Sequence, residues 1–269
     1  MTYATPIGGL PTQESTLTGK AIFTTAYAVI PGGVMRDIVT SYLPFWEKSR
    51  AWVLARPLSG FAETFSQYII EIQPSGGSTN PEPDSFVESI IFVTSGSVMI
   101  NNGSGDQEMF PGGYAYCPPG ISYVIKNTGA NNATIHLFRK RYISVEGFST
   151  PDAFITNEKD IKPIIMDHSK GAWTTTRFVD PEDLRYDMHV NIVNFEPGGV
   201  IPFEETHVME HGIYILEGSA EYLLNKDWVH VEAGDFLWLR AFCPQACRNT
   251  GSGNFRYLLY KDVNRHAQL

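Results

Sequence analysis

Cysteine is scarce: Cys117, Cys243 and Cys247 are the only three in 269 residues, an odd number with no framework spacing. That excludes a disulfide-stapled scaffold and suits free thiols in a reducing compartment, so a cytoplasmic protein is expected. Positive charge is also short. Twenty Lys and Arg stand against 29 Asp and Glu, a net charge of −9, which argues against nucleic acid or an anionic membrane surface as partner. No apolar run approaches the roughly 20 residues of a membrane span. The opening MTYATPIGGLPTQEST has neither the basic nor the apolar region of a signal peptide. Helical periodicity is nearly missing too. The one candidate is a short helix at PEDLRYDM (181–188), where Glu182 and Asp183 suit a first turn.

What the chain has instead is strand signal. Hydrophobic residues make up 43% and charged residues 18%, an ordinary globular composition. The length suits two domains of about 120 residues. Residues 1–20 are rich in Gly, Pro, Thr and Ser and read as an extended arm or loop. From there, aromatic and β-branched runs such as AIFTTAYAVI (21–30), RAWVLARP (50–57) and FSQYIIEIQ (65–73) lie between Pro and Gly punctuation. Short, closely spaced strands of this kind predict an antiparallel sandwich or barrel.

The chain also repeats itself. Gly96 and Gly218, Gly112 and Gly234, and Asn127 and Asn249 are each 122 residues apart, and PGGYAYCPPGISYVIKN (111–127) aligns without a gap on AGDFLWLRAFCPQACRN (233–249). Two copies of one all-β barrel are expected, over 1–150 with the N-terminal arm and over 151–269, joined near 143–170.

One stretch carries metal-ligand chemistry. In GVIPFEETHVMEHGIYILEG (199–218), Glu205, His207 and His211 share one parity, so on extended backbone all three can point to one side. A carboxylate and two imidazoles converging there suit a borderline divalent cation. Glu210 has the opposite parity and reads as a solvent or subunit-contact residue. In NFRYLLYKDV (254–263), Tyr257 and Lys261 share a face. A lysine turned into a barrel needs an anion, and a substrate carboxylate would supply it. The alternative is a lysine at the rim, in water. Cys243 and Cys247 share the parity of Gln245 and read as small buried hydrophobes, with soft-metal ligation as the alternative. His136, His168, His189, His230 and His266 fall outside any ligand spacing and read as structural or exposed.

GVIPFEETHVMEHGIYILEG (199–218) and GDFLWLRAFCPQACRN (234–249) resemble the two sequence motifs of the cupin superfamily. The frame of glycines and ligand positions is kept while the letters change. Glu205 stands where a first His is usual, His207 keeps the second, His211 replaces the Glu, and Gln245 replaces the last His. That Glu-His-His-Gln set, with ETHVMEHG, GGYAYCPPG and KRYISVEGF, resembles the (S)-ureidoglycine aminohydrolase family of bicupins over roughly residues 60–265. The resemblance implies two tandem jelly-roll barrels and one Mn²⁺ per chain on Glu205, His207, His211 and Gln245. It further implies a small ureide substrate held by Tyr257, Lys261 and Gln245, with Tyr222 as a further candidate. Glu205 and Lys261 would be the catalytic groups, with Glu205 relaying a proton. A homo-oligomer is expected as well. The repeat places Pro83, Ser85, Ser89 and Tyr123 at the corresponding N-terminal positions. None is a good ligand, so a single C-terminal metal is expected. Other metal-dependent cupin enzymes, such as dioxygenases and isomerases, and non-enzymatic ligand-binding bicupins share the frame and remain alternatives.

Overall fold

A computed structural model describes residues 21–32, 41–103, 105–263 and 265. Twenty strands and two single turns of 3-10 helix, Pro57–Ser59 and Glu158–Asp160, are the regular elements among them. The expected helix at 181–188 is absent. Asp183 instead caps a turn through its side chain, accepting from the backbone of Arg185, and Met188 already begins a strand. The arm over 1–20 lies outside the described residues.

The first large sheet is built from nine strands. Its centre is β4 (Ser66–Ser78), β5 (Val87–Ser95), β8 (Gly113–Cys117) and β10 (Ala133–Arg141), with β3 (Trp46–Ala55) on β4. The second has eight strands, centred on β14 (Met188–Phe195), β15 (His211–Glu217), β18 (Phe236–Leu239) and β20 (Phe255–Asp262), with β13 (Trp173–Arg177) beside β14 and β12 (Ile164–Ile165) at its edge. A three-stranded sheet of β16 (Ser219–Leu224), β17 (Asp227–Glu232) and β19 (Gln245–Arg248) closes the C-terminal sandwich. All pairings are antiparallel.

Strands with both faces buried make the two sheets pack. Along β14, Val193 and Phe195 face the C-terminal core with Tyr222, Leu237 and Tyr257. Met188, Val190 and Ile192 face the other way, against Trp52, Phe138 and Tyr260. A third core lies inside the N-terminal barrel around Ile70, Ile91 and Ile135. The alternation follows from the two-residue period of a strand.

The division expected at 150/151 is crossed in both directions. β2 (Tyr27–Ile30) pairs with β18 of the second sheet, and β11 (Phe154–Asn157) pairs with β8 of the first. Each barrel is therefore finished by a strand from the other side of the division. KRYISVEGF acts at the same seam: Lys140 and Arg265 ion-pair with Asp187, which also accepts from the Ile143 amide.

The repeat has a physical basis. Asn127 donates to the carbonyls of Ile72 and Asn131 and accepts from the Gly129 amide; Asn249 does the same with Phe195, Gly253 and Gly251. Gly96 and Gly218 both have positive φ, 69° and 76°. A Cβ at Gly218 would meet the Asn254 carbonyl oxygen at 2.1 Å, so only glycine fits there.

Candidate metal and substrate site

The loop before β15 runs back against β19. Glu205 and Gln245 exchange backbone hydrogen bonds of 2.8 and 2.9 Å, and the His207 carbonyl accepts from the Phe242 amide at 2.7 Å. This pins an irregular segment to a regular strand and turns its side chains into the C-terminal barrel. The cavity there, about 170 Å³, is lined by Glu205, His207, His211, Tyr222, Gln245, Tyr257 and Lys261, the seven residues expected to serve as metal, substrate or catalytic groups.

At its heart the Nε2 atoms of His207 and His211 lie 3.2 Å apart, and the Gln245 amide nitrogen is 3.1 Å from His207 Nε2. Tyr222 donates to Gln245 Oε1 at 3.0 Å. Among the described residues, no three His, Cys, Asp or Glu side chains close into one metal-holding group. The close cluster is two imidazoles and an amide, with the Glu205 carboxylate on the same cavity wall. Burial pushes both imidazoles toward the neutral form that ligates, His211 to about 3. An amide flip exchanges which Gln245 atom faces the imidazoles. Two neutral imidazole nitrogens, an amide oxygen and a carboxylate in one cavity fit a borderline divalent cation. The thiols do not compete. Cys243 and Cys247 are buried with their pKa values raised by burial, as small hydrophobes are.

The cations are arranged differently in the two barrels. Lys261 pairs across the sheet with His211, just as Arg139 pairs with Ser89. Arg139 forms an ion pair with Glu82, including Nη2 to Oε1 at 2.7 Å. Lys261 has no hydrogen bond or ion pair among the described residues. Burial first, then the Arg177 guanidinium, lower its pKa, and Glu205 opposes them. Burial also raises the pKa of Glu205, against the attraction of Lys261. Tyr222 and Tyr257 are held as protonated phenols by burial. Around Pro83, Ser85 and Tyr123 the N-terminal barrel keeps a cavity of about 100 Å³ that Glu82 also lines.

One assignment changes. Glu210 is not a solvent or contact residue: it is 5% exposed and accepts from the amides of Glu63 and Thr64, the Thr64 hydroxyl and Trp238 Nε1. Opposite parity took it off the cavity and into the seam between the barrels. His136 and His189 are buried and neutral, lowered by burial to about 3 and about 4. His266 lies outside the described residues. Three polar cavity residues escaped the sequence reading: Thr175, Arg177 and Asn191. Their signal was the inward parity they share with Trp173 and Val193.

The chain matches the model of the cupin domain over residues 191–260 and that of the EutQ-like cupin domain over 59–142. It is 31% identical to the (S)-ureidoglycine aminohydrolase of Escherichia coli strain K12, over 89% of this chain and 88% of that protein. It is likewise 31% identical to the Arabidopsis thaliana (S)-ureidoglycine aminohydrolase, over 85% and 74%. Among solved structures, a Pseudomonas aeruginosa protein described as glyoxylate-induced superposes with a TM-score of 0.91 at 61% identity, over 100% of this chain and 98% of that one.

Proposed function

The chain belongs to the (S)-ureidoglycine aminohydrolase family, and from that membership we propose that its C-terminal barrel hydrolyses (S)-ureidoglycine to (S)-ureidoglycolate and ammonia in purine degradation. One observation carries the reading. A ligand-type cluster and a lysine without a partner line the same small cavity, and the matching barrel has neither.

His207, His211, Gln245 and Glu205 would hold one Mn²⁺ per chain. When bound, the ion supplies Lewis acidity and a template for the amine or water. Manganese is the ion that the ligand-set resemblance implies; ligand affinities alone do not favour it. The chain's own groups do the rest. Lys261 supplies the charge that a substrate carboxylate needs, and Tyr257 adds a phenol donor. Tyr222, which donates to Gln245 Oε1 at 3.0 Å, would accept from Nε2 once the amide is flipped to present its oxygen to the ion, and so orient it. Glu205, its pKa raised by burial, is suited to move a proton between water and the departing amine. Met166, Trp173, Ile201 and Leu259 wall the cavity with apolar surface and limit water.

The same reading places the protein in the cytoplasm as a homo-oligomer. Its support is the free thiols and the exposed Ile164 and Ile165 on edge strand β12. The test is ammonia release from freshly prepared ureidoglycine, with and without chelator. Chelator-sensitive, stoichiometric ammonia is expected. Oxygen uptake without ammonia would replace this reading with that of an oxygenase.

A further inference from the structure

The cavity has a third wall. Thr175 and Arg177 on β13 and Asn191 on β14 all line it. Thr175 and Asn191 are 7% and 3% exposed. Asn191 Oδ1 is buried without a hydrogen-bond partner. The half-buried Arg177 side chain has no ion pair or hydrogen bond among the described residues, although its charge reaches Lys261 and His189. A buried polar atom such as Asn191 Oδ1 costs stability unless something answers it.

The register of the two barrels shows that the fold does not require these residues. Arg177 pairs with Asn191, and Asn191 with Leu259. Val53 pairs with Tyr68, and Tyr68 with Leu137. Thr175 pairs with Val193, as Ala51 pairs with Ile70. The barrel without the ligand cluster therefore has Ala51, Val53 and Tyr68 where this one has Thr175, Arg177 and Asn191. Those three belong to or pack against an apolar core. A polar wall appears only where the ligand cluster does.

The chemistry of the wall selects its occupant. Lys261 already provides a cation beside His211, its neighbour in register. A second carboxylate anchor would use Arg177 but leave Asn191 unanswered, because a carboxylate donates no hydrogen bond. A ureido group offers one carbonyl acceptor and N–H donors. It matches a guanidinium beside a carboxamide.

We propose that Arg177 and Asn191 form the subsite for the ureido end of the substrate, Arg177 donating to the carbonyl and Asn191 accepting from the terminal NH₂. They are specificity-determining residues, Asn191 two strands and Arg177 three strands away from His211 on β15. This rests on the aminohydrolase reading for the choice of ligand. Binding of unreactive analogues can nevertheless be measured whether or not ammonia is released.

Three probes separate the interactions in titration calorimetry on the manganese-loaded protein. N-carbamoylglycine has carboxylate and ureido groups. N-acetylglycine lacks the terminal amine. Valerate has the same length with neither carbonyl nor N–H. The wild type should bind N-carbamoylglycine most tightly and valerate least. Arg177→Met should weaken both carbonyl compounds by about 10- to 100-fold, the loss expected for a hydrogen bond to a charged donor, and leave valerate unchanged. Asn191→Leu should erase the preference for N-carbamoylglycine over N-acetylglycine; Asn191→Ala repeats the test should the larger side chain disturb folding. Valerate weakened as much as N-carbamoylglycine by Arg177→Met would make Arg177 a carboxylate anchor and overturn the subsite. So would an unchanged preference in both Asn191 variants. Wild-type protein that shows these preferences but releases no ammonia would instead retain the subsite and refute the aminohydrolase reading.

Discussion

Glu210→Gln tests the seam that connects the two barrels. The carboxylate accepts four hydrogen bonds: Oε1 from the Glu63 amide at 2.7 Å and Trp238 Nε1 at 2.6 Å, Oε2 from the Thr64 amide at 3.0 Å and the Thr64 hydroxyl at 2.6 Å. Its own amide donates to Asp262 Oδ1 at 2.6 Å. Glu63 and Thr64 come from the N-terminal barrel, while His211 and Lys261 are the chain neighbours of Glu210 and Asp262. Glutamine keeps one carbonyl oxygen and turns an NH₂ toward the other two donors. The Thr64 hydroxyl can rotate to accept, but the Thr64 amide cannot. One buried donor left unsatisfied costs about 1–3 kcal/mol, and weakening the remaining charge-assisted bonds costs about 1 kcal/mol more. A loss of roughly 3 kcal/mol corresponds to a fall in Tm of roughly 6–12 °C for a chain of this size. Calorimetric melts at matched protein concentration read it. The control is Glu204→Gln, at an exposed position, where a surface change should stay within about 0.5 kcal/mol. If Glu210→Gln melts within about 2 °C of wild type, where the same scaling puts less than 1 kcal/mol, then the four contacts are not a clamp and the seam argument fails.

Lys261→Met keeps the apolar stem and removes the charge. It should lower kcat/KM for ureidoglycine by roughly 10- to 200-fold, from a lost charge-assisted hydrogen bond of about 1.5–3 kcal/mol, with metal content unchanged; a change within twofold in steady-state ammonia assays would place the carboxylate elsewhere. Elemental analysis should find about one divalent ion per chain, the count for a single four-ligand site. His207→Ala and His211→Ala should each lose most of it and Ser85→Ala should keep it, while two ions per chain would contradict the loss of the N-terminal site. Glu88 is fully buried, and desolvation with the nearby Asp187 raises its pKa to about 8. The folded state then holds a proton that the unfolded state releases near 4.5, so stability falls as pH rises from about 4.5 through 8. Glu88→Gln, an isostere of the protonated acid, should flatten that part of the urea-denaturation pH profile; parallel profiles would show that Glu88 is ionised in the fold.

Much of this was legible in the chain itself. Parity put Glu205, His207 and His211 on one side and all three line one cavity, but only His211 lies on a strand; the loop's hydrogen bonds to Gln245 and Phe242, not a period of two, set the path of Glu205 and His207. The repeat located Gln245 and predicted the blank partners Pro83, Ser85, Ser89 and Tyr123, because Gly218 and Asn249 are required by local backbone geometry wherever this turn is built. Parity also removed Glu210 from the cavity. It could not say what lay on the other side, because burial there is created by a loop of the opposite barrel. PEDLRYDM had helix-like acids, but Asp183 used its side chain to make a turn, a competition that tertiary context decides. Hydrogen bonding along a sheet edge likewise ignores chain order, so Tyr27–Ile30 and Phe154–Asn157 cross the 150/151 division and complete sheets that their positions in sequence did not suggest. The sequence alone determined the all-β repeat and which residues could serve as ligands, because those follow from side-chain chemistry and a period of two. Only the tertiary structure decided that Lys261 shares one cavity with Arg177 and Asn191, while Arg139 is neutralised by Glu82, since both outcomes depend on which distant strands the sheets bring side by side.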